Sequence, residues 1–226
     1  MPSSTVEQYL KTIFLIQRRS GVVWVPMKVL ADAMGVAPGT ATAMAKHLQS
    51  EGLIDYVPRR GTVLSEDGRR LALRVVRRHR LIETFLEQVL AYDWSEVHSD
   101  AEELEHVVSD RFVERIDSLL GFPELDPHGD PIPRADGHIT SRDLVSLSEA
   151  DSDSVTVARL VEDGEVFLQF MKDNGIVPGA QLRVTGGSAA AGTIELSVQA
   201  RGTQLTLSRE TAASVLVLVA PTDPPR

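Results

Sequence analysis

Apolar residues recur at helical spacing over the first fifty residues of the chain. The first predicted helix has a buried stripe of six such residues: Val6, Tyr9, Leu10, Ile13, Phe14 and Ile16. Pro26 fits the first turn of a second helix, and a third is predicted over residues 37–51. Gly35 lies in the turn between them, and Gly52 follows the third helix, as glycine often does at helix ends.

Two short segments rich in β-branched residues come next, at residues 53–57 and 62–64, on either side of a turn that contains Pro58 and Gly61. They predict a two-stranded hairpin. A helix pair joined by a tight turn and followed at once by a hairpin is typical of a winged helix-turn-helix.

The pattern stays helical through the middle of the chain. A long helix is predicted over residues 66–90, with Ser65 as its N-cap, and two shorter helices over 95–109 and 110–120. Residues 121–138 are rich in Pro, Gly and Asp, which predicts a loop.

Residues 155–220 differ from the rest of the chain, because they contain five short β-branched runs separated by glycine turns. One helix is predicted between them, near residues 165–174. This pattern predicts a small β-barrel. The expected fold class is therefore multidomain, with two mainly α-helical parts followed by a β part.

Charge is distributed unevenly along the chain. The net charge is −9, but residues 1–80 carry 13 Lys/Arg and 6 Asp/Glu, a net of +7, whereas residues 81–226 carry 10 and 26, a net of −16. A basic N-terminal third suits contact with phosphates.

The absence of cysteine excludes disulfides, thiolate zinc sites and cysteine nucleophiles. No apolar run is long enough for a transmembrane helix and no signal peptide is evident, so a cytoplasmic location is expected.

A His/Glu pair interrupts the apolar stripe of the long helix. On a helical wheel His79 and Glu83 lie one turn apart among the residues of that stripe: Ala72, Val75, Val76, Ile82, Leu86 and Leu90. A buried carboxylate is costly unless it is paired or binds a metal. His and Glu at i, i+4 can hold one ion together.

The next predicted helix has four more candidate ligands on one flank: His98, Glu102, Glu105 and His106. Alone, either set has a plainer interpretation, a solvated face or a buried structural histidine. On consecutive helices that pack antiparallel, the two sets together favour two nearby metal sites. All the candidate atoms are nitrogen or oxygen, which suits Mn²⁺, Fe²⁺, Co²⁺ or Zn²⁺.

Candidate DNA contacts lie on the third helix and at the hairpin tip. Small residues at the helix start permit close approach to a groove, alanine side chains can contact thymine methyl groups, and arginines suit phosphates or a narrow minor groove. The candidates are Ala37, Gly39, Thr40, Thr42, Ala43, Lys46, His47, Arg59 and Arg60.

The chain resembles the diphtheria-toxin-repressor (DtxR/MntR) family of metal-dependent transcriptional regulators. The matching stretches are EQYLKTIF, TVLSEDGRRLA, VVRRHRLIETFL, EVHSDAEELEHVVSD and GFPELDPHGDPIP, together with the helix-turn-helix. The C-terminal part is similar to the family's SH3-like (FeoA-like) domain. The resemblance implies four segments: 1–72, a DNA-binding winged helix-turn-helix; 73–140, a helical dimerisation and metal-binding domain; 141–154, a linker; and 155–226, the SH3-like domain.

The resemblance also implies a ligand set and an assembly. A primary metal site would use Glu102, Glu105 and His106 with Gln8. A second would use His79, Glu83 and His98 with a ligand from the SH3-like domain, expected to be Glu162, with Asp163 or Glu165 as substitutes. The metal-activated homodimer would bind a palindromic DNA operator, with two Mn²⁺ per subunit.

Two positions distinguish manganese from iron within that resemblance. Iron-type members carry Cys where this chain has Glu102, and Met where it has Gln8. Oxygen in place of sulfur hardens the site and favours Mn²⁺ over Fe²⁺. The predicted function is a Mn(II)-dependent repressor of manganese uptake and homeostasis genes, with an Fe(II)-dependent repressor of iron-uptake genes as the alternative. Fe²⁺, Co²⁺, Zn²⁺ or Cd²⁺ are expected to substitute.

Two further classes of function are weighed against the repressor. A metallohydrolase would need a base or nucleophile, and neither an H-E-x-x-H motif nor a separate base stands out, so no enzymatic activity is expected. A metal-independent regulator could bind an organic effector in its C-terminal half, and its thermal stability would not respond to Mn²⁺.

Overall fold

The computed structural model describes residues 3–219, so the outermost residues of the first and last predicted domains, 1–2 and 220–226, lie outside it. The chain forms two compact units, each with its own apolar core. Unit 1 comprises Met1–His79, Glu102–Arg115 and Ile132–Ile139, and unit 2 comprises Arg80–Ala101, Ile116–Pro131 and Thr140–Arg226. The predicted four-segment division stays a prediction.

Unit 1 begins with the predicted order of a winged helix. Its elements are α1 (Ser4–Ser20), α2 (Met27–Ala33), α3 (Pro38–Ser50), β1 (Ile54–Val57) and β2 (Gly61–Leu64). The Ser3 hydroxyl caps α1 by accepting from the Val6 amide at 3.3 Å. The apolar stripe of α1 supplies Leu10, Ile13 and Phe14 to the core of the unit, where each is fully buried.

The wing is tied to the residues before α2 by a third, single-residue strand. Val25 exchanges two backbone hydrogen bonds with Thr62, at 2.8 and 2.9 Å. Gly61 has a φ of +117°, and a Cβ there would lie 2.1 Å from the Val25 carbonyl oxygen. Only glycine therefore allows the hairpin to approach Val25 this closely.

Helix α4 (Glu66–Gln88) starts where the sequence predicts, because the Ser65 hydroxyl accepts from the Gly68 amide at 3.0 Å. Helices α5 (Val97–Leu104) and α6 (Asp110–Leu119) follow. Helix α5 ends five residues earlier than expected. Its end is a tightened turn in which the amides of Val107 and Val108 both donate to the Leu104 carbonyl, and Ser109 then caps α6 through the Phe112 amide.

The C-terminal part of unit 2 is one antiparallel sheet in the order β3-β8-β4-β5-β6-β7. Its elements are β3 (Val145–Ser146), β4 (Ser154–Leu160), α7 (Glu165–Asp173), β5 (Gln181–Ser188), β6 (Thr193–Val198), β7 (Thr203–Ser208), α8 (Arg209–Ala213) and β8 (Val215–Val219). The predicted β domain is thus confirmed, with its single inserted helix at α7 and a second short helix, α8, that was not predicted.

Strand β3 lies inside the segment that was predicted to be a linker. It is two residues long and pairs with β8, and Leu147 beside it is buried in the core of the sheet. The polar residues around Val145 hid this strand, because two residues give no period-2 pattern. Within the described part of the chain, no helix is both long and apolar enough to cross a membrane.

Candidate metal centres

Two charged residues of α1 point into the core of unit 1. Glu7 and Lys11 lie one turn apart, on the same flank as Leu10 and Phe14, and are 6% and 3% exposed. A buried charge is stable only when it is paired. Their partners come from the middle of α4 and from the turn after α5, so three segments of unit 1 meet there.

Glu105 is the centre of this cluster. Because α5 ends at Leu104, the Glu105 side chain leaves the predicted helical flank and becomes completely buried. The Lys11 ammonium donates to both of its carboxylate oxygens, each at 2.9 Å. His79 Nδ1 lies 2.6 Å from Oε2, and His106 Nε2 lies 3.3 Å from Oε1.

Lys11 Nζ is also 3.1 Å from His79 Nδ1. A single imidazole nitrogen can accept a hydrogen bond from the ammonium or donate one to the carboxylate, but it cannot do both at once. With its proton on Nε2, His79 would offer the Nδ1 lone pair to the cation that Glu105 Oε2 also faces, whereas as an imidazolium it would donate to Glu105 instead. The first of these arrangements is also how protein ligands are arranged around a metal ion.

The charge state of Glu105 follows from these contacts. Burial pushes the pKa of its carboxyl upward, but the hydrogen bond and charge of His79, and then Lys11, outweigh that effect and hold the pKa below its usual value. Glu105 is consequently a buried carboxylate that depends on the positive charge beside it.

A second set of contacts surrounds the first. His106 Nδ1 lies 2.8 Å from Glu7 Oε2, and Arg78 donates to the other Glu7 oxygen at 3.3 Å. Arg78 also reaches the Glu105 carbonyl at 3.4 Å and Asp110 at 3.3 Å. Helix α1 is thus joined to the turn after α5 through Glu7 as well as through Lys11.

The residues predicted for the primary site are partly assembled. Glu102, 44% exposed at its side chain, places Oε1 3.8 Å from Lys11 Nζ, and His106 contacts Glu105. Among residues 3–219, Glu102, Glu105 and His106 do not form a group with all ligand atoms within 4.8 Å of one another. Gln8 is half-buried beside Glu7. Its role as a ligand stays a prediction.

In unit 2, Glu83 is almost fully buried, and His98 Nδ1 lies 3.1 Å from its Oε1. His98 Nε2 is 4.0 Å from Asp163 Oδ2, and His98, Asp163 and Glu165 line one open cleft of about 470 Å³. Glu162 instead accepts a hydrogen bond from Ser214 at 2.6 Å. Asp163, named as a substitute, is therefore better placed than Glu162. The grouping of His79 with Glu83 and His98 stays a prediction.

The loop after α6 adds two ligand-type residues to unit 2. Asp126 and His128 are buried, and with Glu83 they offer ligand atoms that all lie within 4.8 Å of one another. This group already has a cation, since Arg80 Nε lies 3.4 Å from Asp126 Oδ2. Burial, followed by the charges of Asp130 and Glu83, raises the pKa of Asp126, and Arg80 opposes that rise.

Sequence reasoning missed Glu7, Lys11, Asp126 and His128. Glu7 and Lys11 interrupt the α1 stripe just as His79 and Glu83 interrupt that of α4, so the same test would have found them. Asp126 and His128 lie in a segment, DPHGD, with three ligand-type residues among five. That segment looked like an ordinary loop because it lacks periodicity.

The candidate DNA contacts are mostly exposed: Ala37, Gly39, Thr40, Ala43, Lys46, His47, Arg59 and Arg60. Thr42 is half-buried, and its hydroxyl donates to the Pro38 carbonyl at 2.8 Å. The Arg60 guanidinium stacks over the Trp24 ring, 4.2 Å from its centroid. Arg59 and Lys46 consequently have the least engaged cationic groups on this face.

Three family models match successive parts of the chain. The DNA-binding domain of iron-dependent repressors matches residues 1–62, their metal-binding and dimerisation domain matches residues 65–134, and the FeoA domain matches residues 145–219. Together they cover both mainly helical parts and the β sheet.

Individual relatives carry the names of both iron and manganese repressors. The iron-dependent repressor IdeR of Mycobacterium leprae (strain TN) is 32% identical over 227 residues, 94% of this chain and 96% of that protein. A solved manganese-dependent transcriptional repressor in complex with manganese is 40% identical, with a TM-score of 0.88, over 95% of this chain and all of that one. The manganese regulator SloR is 31% identical, with a TM-score of 0.78, over 96% and 99%.

Proposed function

Because this chain belongs to the diphtheria-toxin-repressor family of metal-dependent transcriptional repressors, we propose that Mn²⁺ is the ion that activates it. In this proposal the Mn²⁺-loaded homodimer binds a palindromic operator and represses manganese uptake genes. The family consists of repressors rather than enzymes, which sets aside the metallohydrolase. A repressor acts on DNA, so we place it in the cytoplasm.

The observation that carries the choice of manganese is the carboxylate at position 102. Glu102 Oε1 lies 3.8 Å from the Lys11 ammonium, which also contacts Glu105 and His79, so this oxygen faces the same centre as those two residues. The donor set there contains only oxygen and nitrogen. Hard oxygen donors suit Mn²⁺, whereas a sulfur donor would favour softer ions.

We assign two metal positions per subunit. The primary position uses Glu102, Glu105 and His106, with α1 contributing Glu7 or Gln8. The second uses His79, Glu83 and His98, with Asp163 from the loop before α7. The first position supplies the switch, because its ligands join α1 to the turn after α5. A state that holds the metal better is then favoured when the metal is present.

The DNA contacts that we propose follow from exposure and charge. Helix α3 would enter the major groove with Lys46 at the phosphates, and Arg59 at the wing would reach the neighbouring DNA backbone.

Replacing Lys46 by Ala should weaken binding to every DNA sequence alike. It should also reduce the slope of log affinity against log salt by about 0.9. A change in sequence preference with an unchanged slope would contradict this assignment.

We place the dimer interface on the helices between residues 70 and 120. In α6 and in the segments that follow α4 and α6, unit 2 exposes apolar side chains that a partner copy would cover: Val89, Leu90, Tyr92, Leu119 and Phe122. Leu119→Glu should therefore shift the protein towards monomer in light-scattering measurements. Leu119 is not one of the proposed ligands, so metal-binding stoichiometry serves as the control for correct folding.

The test of the function is an anaerobic titration of DNA binding. Double-stranded DNA selected from a random pool in the presence of Mn²⁺ would serve as the operator. We expect Mn²⁺ to support binding at lower concentration than Fe²⁺, and a chelator to abolish it. Glu102→Cys should reverse the order of the two ions, whereas Glu103→Cys, the same change at the neighbouring exposed position, should not. Equal DNA binding in Mn²⁺ and in chelator would contradict the proposal.

A further inference from the structure

The ammonium of Lys11 occupies the point on which several ligand atoms of unit 1 converge. Nζ lies 2.9 Å from both oxygens of Glu105, 3.1 Å from His79 Nδ1 and 3.8 Å from Glu102 Oε1. Lys11 is 97% buried, since only 3% of its surface is exposed. Three of these four atoms belong to the carboxylates that we propose as ligands of the primary metal.

The Lys11 ammonium and a metal ion cannot occupy this position at the same time. A Lys ammonium offers three donors and no acceptor, so it can face only lone pairs, as a metal ion does. It lies within contact distance of both Glu105 oxygens, and a metal ion bound through that carboxylate would need the same space and the same lone pairs. Two positive charges there would also repel each other strongly in a buried setting.

Without a cation this cluster would be unstable. Glu105 has no exposed surface, and a buried carboxylate that loses its partner is strongly destabilising. The chain therefore needs positive charge beside Glu105, and in the metal-free protein Lys11 supplies it together with His79. Lysine suits a temporary occupant, because it carries a point charge on a flexible four-carbon stem, without the planar fork that locks arginine in place.

We propose that Lys11 is a built-in competitor of the activating metal. In the metal-free protein its ammonium neutralises Glu105, and metal binding requires that ammonium to leave. The competition sets the concentration of divalent cation at which the repressor becomes active. When the metal replaces the ammonium, the metal instead of Lys11 connects α1 to Glu105. This inference rests on the proposed function, because it assumes that Glu105 binds the activating ion.

The decisive variant is Lys11→Met in the full-length protein, because methionine replaces the unbranched stem of lysine and removes the ammonium group. Removing the competitor should lower the thermal stability of the metal-free protein and, at the same time, tighten Mn²⁺ binding by at least about tenfold. Mn²⁺ affinity would be measured by electron paramagnetic resonance of free Mn²⁺. Lys28→Met, an equal loss of charge at an exposed position on α2, should change neither quantity.

The opposite signs of the two effects separate competition from a structural role. If Lys11 merely supports the fold, Lys11→Met should lower the melting temperature both with and without Mn²⁺. If Lys11 competes with the metal, Lys11→Met should lower the melting temperature only in the absence of Mn²⁺. Lys11→Arg provides a second variant that keeps the charge. Its guanidinium should hold Glu105 more firmly, so Mn²⁺ should bind more weakly than to the wild type.

The results also distinguish the two proposals. If the wild type binds Mn²⁺ but Lys11→Met binds it no more tightly, the competition is overturned and the repressor function stands. If Lys11→Met does not fold, tighter Mn²⁺ binding by Lys11→Arg than by the wild type overturns the competition, and weaker binding supports it. If the wild type binds no Mn²⁺ at all, the manganese function itself fails.

Discussion

Unit 1 and unit 2 each bury one basic side chain among carboxylates, but they hold it differently. The Lys11 ammonium contacts only side chains, and both its closest partners can bind metal. The Arg80 guanidinium donates to the Pro131 carbonyl and to Asp130, each at 2.6 Å, and faces Asp126 at 3.4 Å. A backbone carbonyl cannot move aside as a side chain can.

The difference indicates which buried cation is permanent. Arg80 fixes the loop after α6, since its partners Asp126, Asp130 and Pro131 all belong to that loop. Lys11 holds Glu105 and His79 in place, and a divalent ion could hold both of these side chains as well. Arginine in unit 2 is therefore part of the scaffold, and lysine in unit 1 is an exchangeable occupant.

The largest effect should come from Arg80→Met. The change leaves the buried Asp126 carboxyl without its arginine, while Asp130 keeps Arg159 at 2.9 Å, so it should cost about 3–5 kcal/mol of unfolding free energy. Urea unfolding would measure the loss with and without Mn²⁺, and we expect Mn²⁺ not to restore it. Arg74→Met, at an exposed position on the same helix, is the matched control. A loss below about 1 kcal/mol, or one restored by Mn²⁺, would remove the distinction between the two cations.

Glu105→Gln should have the next largest effect. The amide keeps the shape but leaves the Lys11 ammonium without its carboxylate, so the metal-free protein should lose about 1–3 kcal/mol. Mn²⁺ binding at the primary position should disappear. The double variant Lys11→Met with Glu105→Gln should lose less than the sum of the single variants, because the two residues are partners. Strict additivity would show that the Lys11–Glu105 contact carries no coupling energy.

These two clusters also show how far the sequence could be read. The apolar stripes of α1 and α4 and the Ser65 cap were predictable because helical periodicity and capping are local. The end of α5 could not be predicted in the same way. It depends on whether the helix continues or stops so that Ser109 can cap α6, and the local pattern allows both. That error left Glu105 on the flank of a continuing helix, whereas it lies in the turn after α5 and is completely buried.

The partners of the buried charges were harder still to predict. Lys11 lies 94 residues from Glu105, and Arg80 lies 50 residues from Asp130. One sequence contains no signal for such pairs beyond a charge inside an apolar stripe. The family register supplied the proposed metal ligands, but it gave no reason to expect an ammonium among them.

The smallest effect should come from Asp93→Asn, which removes a half-buried ion pair with Lys172 for comparison with the buried ones. Lys172 and then the hydroxyl and amide of Ser95 lower the pKa of Asp93 to about 2. Since the folded pKa is below the unfolded value of about 3.9, the pair stabilises the protein above that pH and loses its contribution as the pH falls towards 2. Each side chain of the pair is about one-third exposed, so the pair should contribute at most about 1 kcal/mol. Thermal unfolding at pH 7 and pH 3 would test this, and a larger loss at pH 3 would contradict the sign.

The most direct test of the whole account is the affinity for Mn²⁺ with and without DNA. If metal selects the DNA-binding state, selected operator DNA must tighten Mn²⁺ binding by the same factor by which Mn²⁺ tightens DNA binding. We expect that factor to be at least about five, the lower end of common allosteric coupling, and to vanish in Glu105→Gln. Identical Mn²⁺ affinity with and without operator DNA would contradict the account.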